Sequence, residues 1–231
     1  VRIDGVATRV GPDAVVVTAE HELDVLSSAV VAGGFTRART ILNVHVSKSF
    51  ACADATATVA AAAHRLGVPV PWVGLLTAAW TERAELAVAE ADGVRALVVA
   101  TIGLSHASAA GITARAAPVP ATINTIVVLD ANPAPAAMVN AVSTVTEVKT
   151  DVLRAAGVRC ADGRAATGTP TDAIVVAATG RGPLHRFGGP LSDVGWAAAT
   201  ATREALEAGV RRWLIDNRDS AGPETRDGAS R

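Results

Sequence analysis

The chain has 231 residues, half of them apolar, and a formal net charge of −1. That length and composition allow one sizeable core, and the near-neutral balance gives no electrostatic basis for nucleic-acid binding, which leans on clustered Lys and Arg. Aromatic residues make up only 3% and Tyr is absent, so Ala and Val must fill the core and backbones must approach closely. Cys52 and Cys160 are the two cysteines. They form neither a metal spacing nor a disulfide framework, which fits a reducing compartment. The apolar stretches are too short or interrupted to span a bilayer, and "VRID" at the start lacks the apolar region of a signal peptide. The expectation is a soluble cytoplasmic protein that binds neither membrane nor nucleic acid.

Taken in chain order, "VRIDGVATRV" and "DAVVVTAE" read as a hairpin turning at Gly11 to Asp13. "TILNVHV" reads as a strand with Ile41, Asn43 and His45 on one face and Leu42, Val44 and Val46 on the other. A helix follows, capped by Asp54 and stopped by Gly67. "PWVGLLTAA" is a buried strand after a Pro-x-Pro turn. "TERAELAVAEADG" fits helix or strand. "VRALVVATIGLSHASAAG" is a strand that opens into a small polar loop, and "ATINTIVVLD" is another strand. The clearest helix is "PAPAAMVNAVSTVTEVKTDVLRAAG", with Met138, Ala141, Val145, Val148 and Val152 inward and Gly157 at its end. A strand at Ala173 to Ala178 and a glycine-rich turn from Gly180 to Gly189 lead to a long last helix, roughly Ser192 to Leu214. No repeat and no interdomain linker is visible. The fold class expected is α/β in the mixed α+β sense. One domain over 1–215 packs helices on a mixed sheet, with an N-terminal hairpin and a long C-terminal helix. A polar, disordered tail over 216–231 follows.

The common chemical signatures are missing: no GxGxxG, no GxxxxGK[ST], no GxSxG and no HExxH. What remains is a recurring pattern, because most strands meet a short run of Ser, Thr, Asn and Gly. The runs hold Ser28 with Gly33 and Gly34, then Asn43, then Thr77, then Ser105 and His106 in "TIGLSHASAAG". They continue with Thr122 and Asn124 in "TIN", and with Thr167, Gly168, Thr169 and Asp172 in "ATGTPTD". Such residues offer neutral donors and acceptors, and together they suit a large amide-rich ligand. Each run alone could simply terminate a strand.

In "TEVK", Lys149 flanks the apolar stripe and Glu147 lies on the far side, and residues two apart on a helix do not meet. If both helix faces are covered, Glu147 is a buried general acid or base; if one, it is solvated. The residues alone leave both open, and only the family resemblance below tips the reading to the first. His45, beside Asn43, is either a core histidine or a ligand contact. His106 and His185, with Gly188 nearby, lie in loops at strand ends. Asp172 either caps its own turn or orients a nucleophile or water.

The chain resembles the adenosylcobinamide amidohydrolase family, CbiZ. The resemblance is carried by "LSSAVVAGGFTRARTILNVHV", "WVGLLTAA", "ATIGLSHASAAG", "ATINTIVVLD", "STVTEVKTDVL", "AATGTPTDAIVVA" and "GGPLSDVG", from about Leu26 to Gly195. The pairing of "TEVKT" with "ATGTPTDAIVVA" is its most specific part. Val148 departs from an expected "TEAK", a swap of one small apolar residue for another.

The resemblance implies hydrolysis of the amide between the corrin ring and its aminopropanol arm. Adenosylcobyric acid and 1-aminopropan-2-ol would be released in salvage toward coenzyme B12. It implies a corrinoid partner and no resident cofactor or metal, because cobalt arrives with the substrate. The candidate catalytic set is Glu147, Lys149, Asp172 and Thr169. Backbone N–H groups of "TGT" or Asn124 would hold the oxyanion, and Glu147 or Asp172 would activate water, the preferred version. The rival version uses Thr167, Thr169 or Ser28 as nucleophile. A non-catalytic corrinoid binder and a hydrolase of another amide stay open, as does a homo-oligomer through the last helix.

Overall fold

A computed structural model describes residues 2–50, 54–115 and 122–217. Cys52 and residues 218–231 of the expected tail lie outside the described residues. The N-terminal hairpin forms as expected from β1 (Val6–Val10) and β2 (Ala14–Ser27), turning at Gly11. β2 runs well past the expected strand. It pairs along its length with β3 (Gly34–His45), with a break in register between Thr18 and Leu23. That irregularity re-aims the long strand pair. β4 (Trp72–Thr77) lies parallel to β3.

The ambiguous "TERAELAVAEADG" resolves into a short 3-10 turn at Thr81–Arg83 and a strand, β5 (Glu85–Ala91). β5 pairs antiparallel with β6 (Val94–Ile102). Asp92 and Gly93, both at positive φ (44° and 81°), make the two-residue hairpin between them. An Asp-Gly pair suits this turn because both central residues must be left-handed. The remaining strands of the sheet are β7 (Ile123–Asp130) and β9 (Ala173–Ala178). The order is β4-β3-β2-β9-β7-β6-β5, with β1 beside β2, and parallel and antiparallel neighbours are mixed. Two short strands, β8 (Asn132–Pro133) and β10 (Leu184–His185), pair separately.

Side-chain alternation sorts the core into layers. Val15, Val17, Val25, Ile41 and Leu75 from one half of the sheet pack against Val99, Ile126, Val128 and Val175 from the other. The sheet therefore bends over and packs on itself. Leu42 and Val44 face outward onto α1 (Ala55–Leu66), as the alternation in "TILNVHV" predicts. Asp54 caps α1 by accepting from Ala57 N, and Gly67 ends it at φ 61°. On the opposite outer face, α2 (Pro135–Ala155) and α3 (Asp193–Asp216) cover β6, β7 and β9. All five expected inward residues of α2 are buried. The result is a helix–sheet–sheet–helix arrangement, a single mixed α/β domain.

A core short of aromatics brings backbones together. A Cβ placed on Gly195 would lie 1.9 Å from Gly189 O, so α3 starts directly against the preceding turn. Nothing lies within 4 Å of a Cβ on Gly189 itself. Gly195→Ala is expected to cost about 1–3 kcal/mol, as overpacking against backbone does. Gly189→Ala should stay within about 0.5 kcal/mol of the parent. Chemical denaturation of both variants checks this, and equal midpoints would contradict it.

Candidate functional site

The turn before β9 and the buried stripe of α2 meet at one ion pair. Lys149 is one residue beyond Val148 and four beyond Val145, so its side chain leaves the stripe on the side of that turn. Lys149 Nζ lies 2.5 Å from Asp172 Oδ2, with both side chains about nine-tenths buried. The same oxygen accepts from Thr169 N at 3.0 Å, while Oδ1 accepts from Ile123 N at 2.9 Å and from Thr169 Oγ1 at 2.5 Å. Four donors therefore converge on one carboxylate. Gly168 makes room: a Cβ there would lie 2.4 Å from Asp172 Oδ2 and 2.9 Å from Lys149 Nζ.

A neutral polar chain leads away from this pair between the two halves of the sheet. Thr122 Oγ1 shares its hydrogen between Thr171 O at 2.8 Å and Asn124 Oδ1 at 2.9 Å. Asn124 donates both amide hydrogens, to Asn43 Oδ1 at 2.8 Å and to Leu76 O at 2.9 Å. Asn43 donates onward to Thr101 Oγ1 at 2.9 Å. Asn43, Thr101, Thr122 and Asn124 are all buried. Each amide is satisfied, as burial of polar groups requires.

Several expected residues frame this centre. Thr167 Oγ1 accepts from Ala110 N at 2.9 Å, which ties the loop after β6 to the "TGT" turn. Ser28 exchanges bonds with Ile174 at 3.0 and 3.1 Å, tying the β2–β3 connection, with Gly33 and Gly34, to the start of β9. Thr77 Oγ1 accepts from Ala79 N at 3.1 Å. His45 Nδ1 lies 2.9 Å from Ala79 O. A cleft of about 180 Å³ opens beside Gly103, lined among others by Ser105, Trp80, Arg83 and Arg212. His106 is exposed on the same loop as Ser105.

Other expectations are corrected. Glu147 is exposed, because only one face of α2 is covered, and it is no part of the buried cluster. Asp172 has no open acceptor position for an incoming water. Asn124 has no amide hydrogen left for an oxyanion. The "TGT" N–H groups are also engaged: those of Thr167 and Gly168 donate to Ser108 O, and that of Thr169 to Asp172. Two residues lie elsewhere. His185 sits on β10 beside β8, beyond the C-terminal end of β7, whereas Asp172 precedes the N-terminus of β9, which runs parallel to β7. Gly188 is a packing glycine, whose Cβ would lie 2.0 Å from Ala137 O. Thr101, Ser108 and Trp80 were not anticipated. Thr101 stands at the strand end of "ATIGLSHASAAG" and was legible only as part of that run.

The centre thus gathers a hydroxyl, a carboxylate and an ammonium where the turn before β9 meets α2, groups able to move a proton and to stabilise developing charge. The chain belongs to the adenosylcobinamide amidohydrolase family, CbiZ, whose model matches residues 3–218. It is an amidohydrolase acting on adenosylcobinamide. No curated protein matches the chain. Among solved structures, the crystal structure of the PH0078 protein from Pyrococcus horikoshii OT3 is similar at 14% identity. That match covers 93% of this chain and 80% of that one, with a TM-score of 0.44. No helix among the described residues is long and apolar enough to cross a membrane.

Removing one partner of a buried pair leaves the other charge uncompensated. Asp172→Ala strands Lys149 and three further donors, so it should cost about 3–5 kcal/mol. Lys149→Met leaves the carboxylate with its other three donors and should cost less. A double-mutant cycle by denaturation checks the coupling, expected at about 0.5–3 kcal/mol. Equal single costs with no coupling would contradict the pairing.

Proposed function

We propose that the protein hydrolyses the amide joining the corrin ring to the aminopropanol arm of adenosylcobinamide. The products are adenosylcobyric acid and 1-aminopropan-2-ol, and the step belongs to corrinoid salvage toward coenzyme B12. The observation that carries this reading is the family match over nearly the whole chain. Cobalt enters as part of the substrate, and the protein's own residues do the chemistry.

The geometry supports roles for three of them. Thr169 Oγ1 already donates to Asp172 Oδ1, so the threonine proton is placed to pass to this carboxylate. Thr169 Oγ attacks the carbonyl carbon while its proton passes to Asp172. Lys149, paired with the other carboxylate oxygen, turns its remaining N–H groups toward the developing oxyanion. Asp172 returns the proton to the departing amine nitrogen, leaving an ester on Thr169. Once acylated, Thr169 Oγ no longer donates to Asp172 Oδ1, so water can take that place; it attacks the ester, its proton passes through Asp172 to Thr169 Oγ, and the carboxylic acid is freed. The polar chain through Asn124 and Asn43 fixes the strand ends that hold this group.

Incubation with adenosylcobinamide, followed by chromatography, should yield one 1-aminopropan-2-ol per adenosylcobyric acid. Tight corrinoid binding without release would make the protein a binding module, and no binding at all would make it a hydrolase of another amide. Lys149→Ala should lower kcat by about 10²–10³-fold, the loss typical of a removed oxyanion donor. Thr169→Ser should keep part of the activity that Thr169→Val loses. Glu147→Gln should leave kcat unchanged, and a large loss there would reinstate the exposed carboxylate as a base.

A further inference from the structure

Trp80 lines the cleft beside the centre but has no role in the chemistry proposed above. It is 59% exposed and lines the cleft beside Gly103. Its ring stacks on His45 with centroids 5.1 Å apart and an interplanar angle of 16°. His45 is itself fixed. Ala79 O can only accept, so His45 Nδ1 carries the hydrogen of the 2.9 Å bond between them. The chain holds only three Phe and four Trp. The other large exposed rings, such as Phe187 and Trp196, have no ring stacked behind them among the described residues.

The cleft also borders the start of β7, which holds Asp172. A Cβ on Gly103 would lie 3.4 Å from both Ala79 Cβ and Thr122 O, and Gly103 N donates to Thr122 O at 3.0 Å. Thr122 is followed by Ile123, whose N–H holds Asp172. A rigid aromatic surface thus lines a cleft joined through Gly103 and Thr122 to the strand start that holds Asp172, and Lys48, Arg83 and Arg212 line the same cleft.

We propose that the outer face of Trp80, backed by His45, is the platform on which a flat conjugated face of the substrate stacks. Trp80 would then set substrate affinity rather than the rate of bond cleavage. This rests on the corrinoid reading above. The flat face could be the corrin ring or the adenine of the adenosyl ligand, which share the same stacking chemistry.

Kinetics and spectral binding titrations on wild type, Trp80→Ala and Trp80→Phe test this, with adenosylcobinamide and with cobinamide carrying cyanide as its axial ligand. Trp80→Ala should raise KM and the dissociation constant about tenfold or more, as loss of a stacking ring does, with kcat within about threefold. Trp80→Phe should restore most of the affinity. A loss with both corrinoids assigns the corrin face, and a loss confined to the adenosyl form assigns the adenine. Unchanged affinity in Trp80→Ala overturns the platform, as does a fall in kcat alone. If wild type binds corrinoid but releases no aminopropanol, the hydrolytic reading fails while weaker binding by Trp80→Ala still supports the platform. Wild type that binds no corrinoid overturns both.

Discussion

The Lys149–Asp172 pair is the constraint around which the site is built. Taking an ammonium and a carboxylate out of water costs several kcal/mol per ion unless geometry and further hydrogen bonds offset it. Here the offset comes from Thr169 N, Thr169 Oγ1 and Ile123 N on the same carboxylate. Those donors belong to the β9 turn and to the first residue of β7, while the lysine belongs to α2. One carboxylate therefore locks a helix, a turn and a strand start together. Gly168 follows from the same constraint, since any side chain there would occupy the position of the pair.

Away from that pair the interior avoids charge. The link between the two halves of the bent sheet runs through amides and hydroxyls: Thr101, Asn43, Asn124 and Thr122. A neutral network is cheaper to bury than ions, and a fully satisfied one rigidifies what it joins. Around it, Ala, Val and Gly let layers approach until backbone meets backbone at Gly188 and Gly195. Rigid strand ends are what a hydrolytic centre needs, because a small displacement of the nucleophile costs rate steeply.

Much of this was legible in the residues themselves. Asp54 and Gly67 bound α1, the 3.6-residue period of α2 marks its buried face, and the apolar run after Asp172 is β9. The hydroxyl-rich strand ends read as the wall of a pocket for an amide-rich ligand, whereas Asn43, Thr101, Thr122 and Asn124 bond one another, joining Asn43 to residues 58 and 81 positions away. The burial of Glu147 could not be decided from α2 alone, because the period shows which face is apolar but not how many faces are covered. β5 was obscured by the good helix formers in "TERAELAVAEADG". Its Asp92–Gly93 turn was the better signal, since a left-handed pair demands a hairpin there. The pairing of Lys149 with Asp172, across 23 residues, depends on the crossing of α2 over the sheet. No local pattern encodes that crossing.

The proposed mechanism centres on Thr169, with Asp172 proposed to take its proton and Lys149 proposed to hold the charge that develops. The most direct measurement is mass spectrometry of a single-turnover reaction with adenosylcobinamide, quenched in acid within the first turnover. An ester between the corrinoid carboxyl group and the peptide that contains Thr169 is the result expected. Full product formation with that peptide unmodified, and undiminished turnover by Thr169→Val, would contradict it and return the chemistry to direct attack by water.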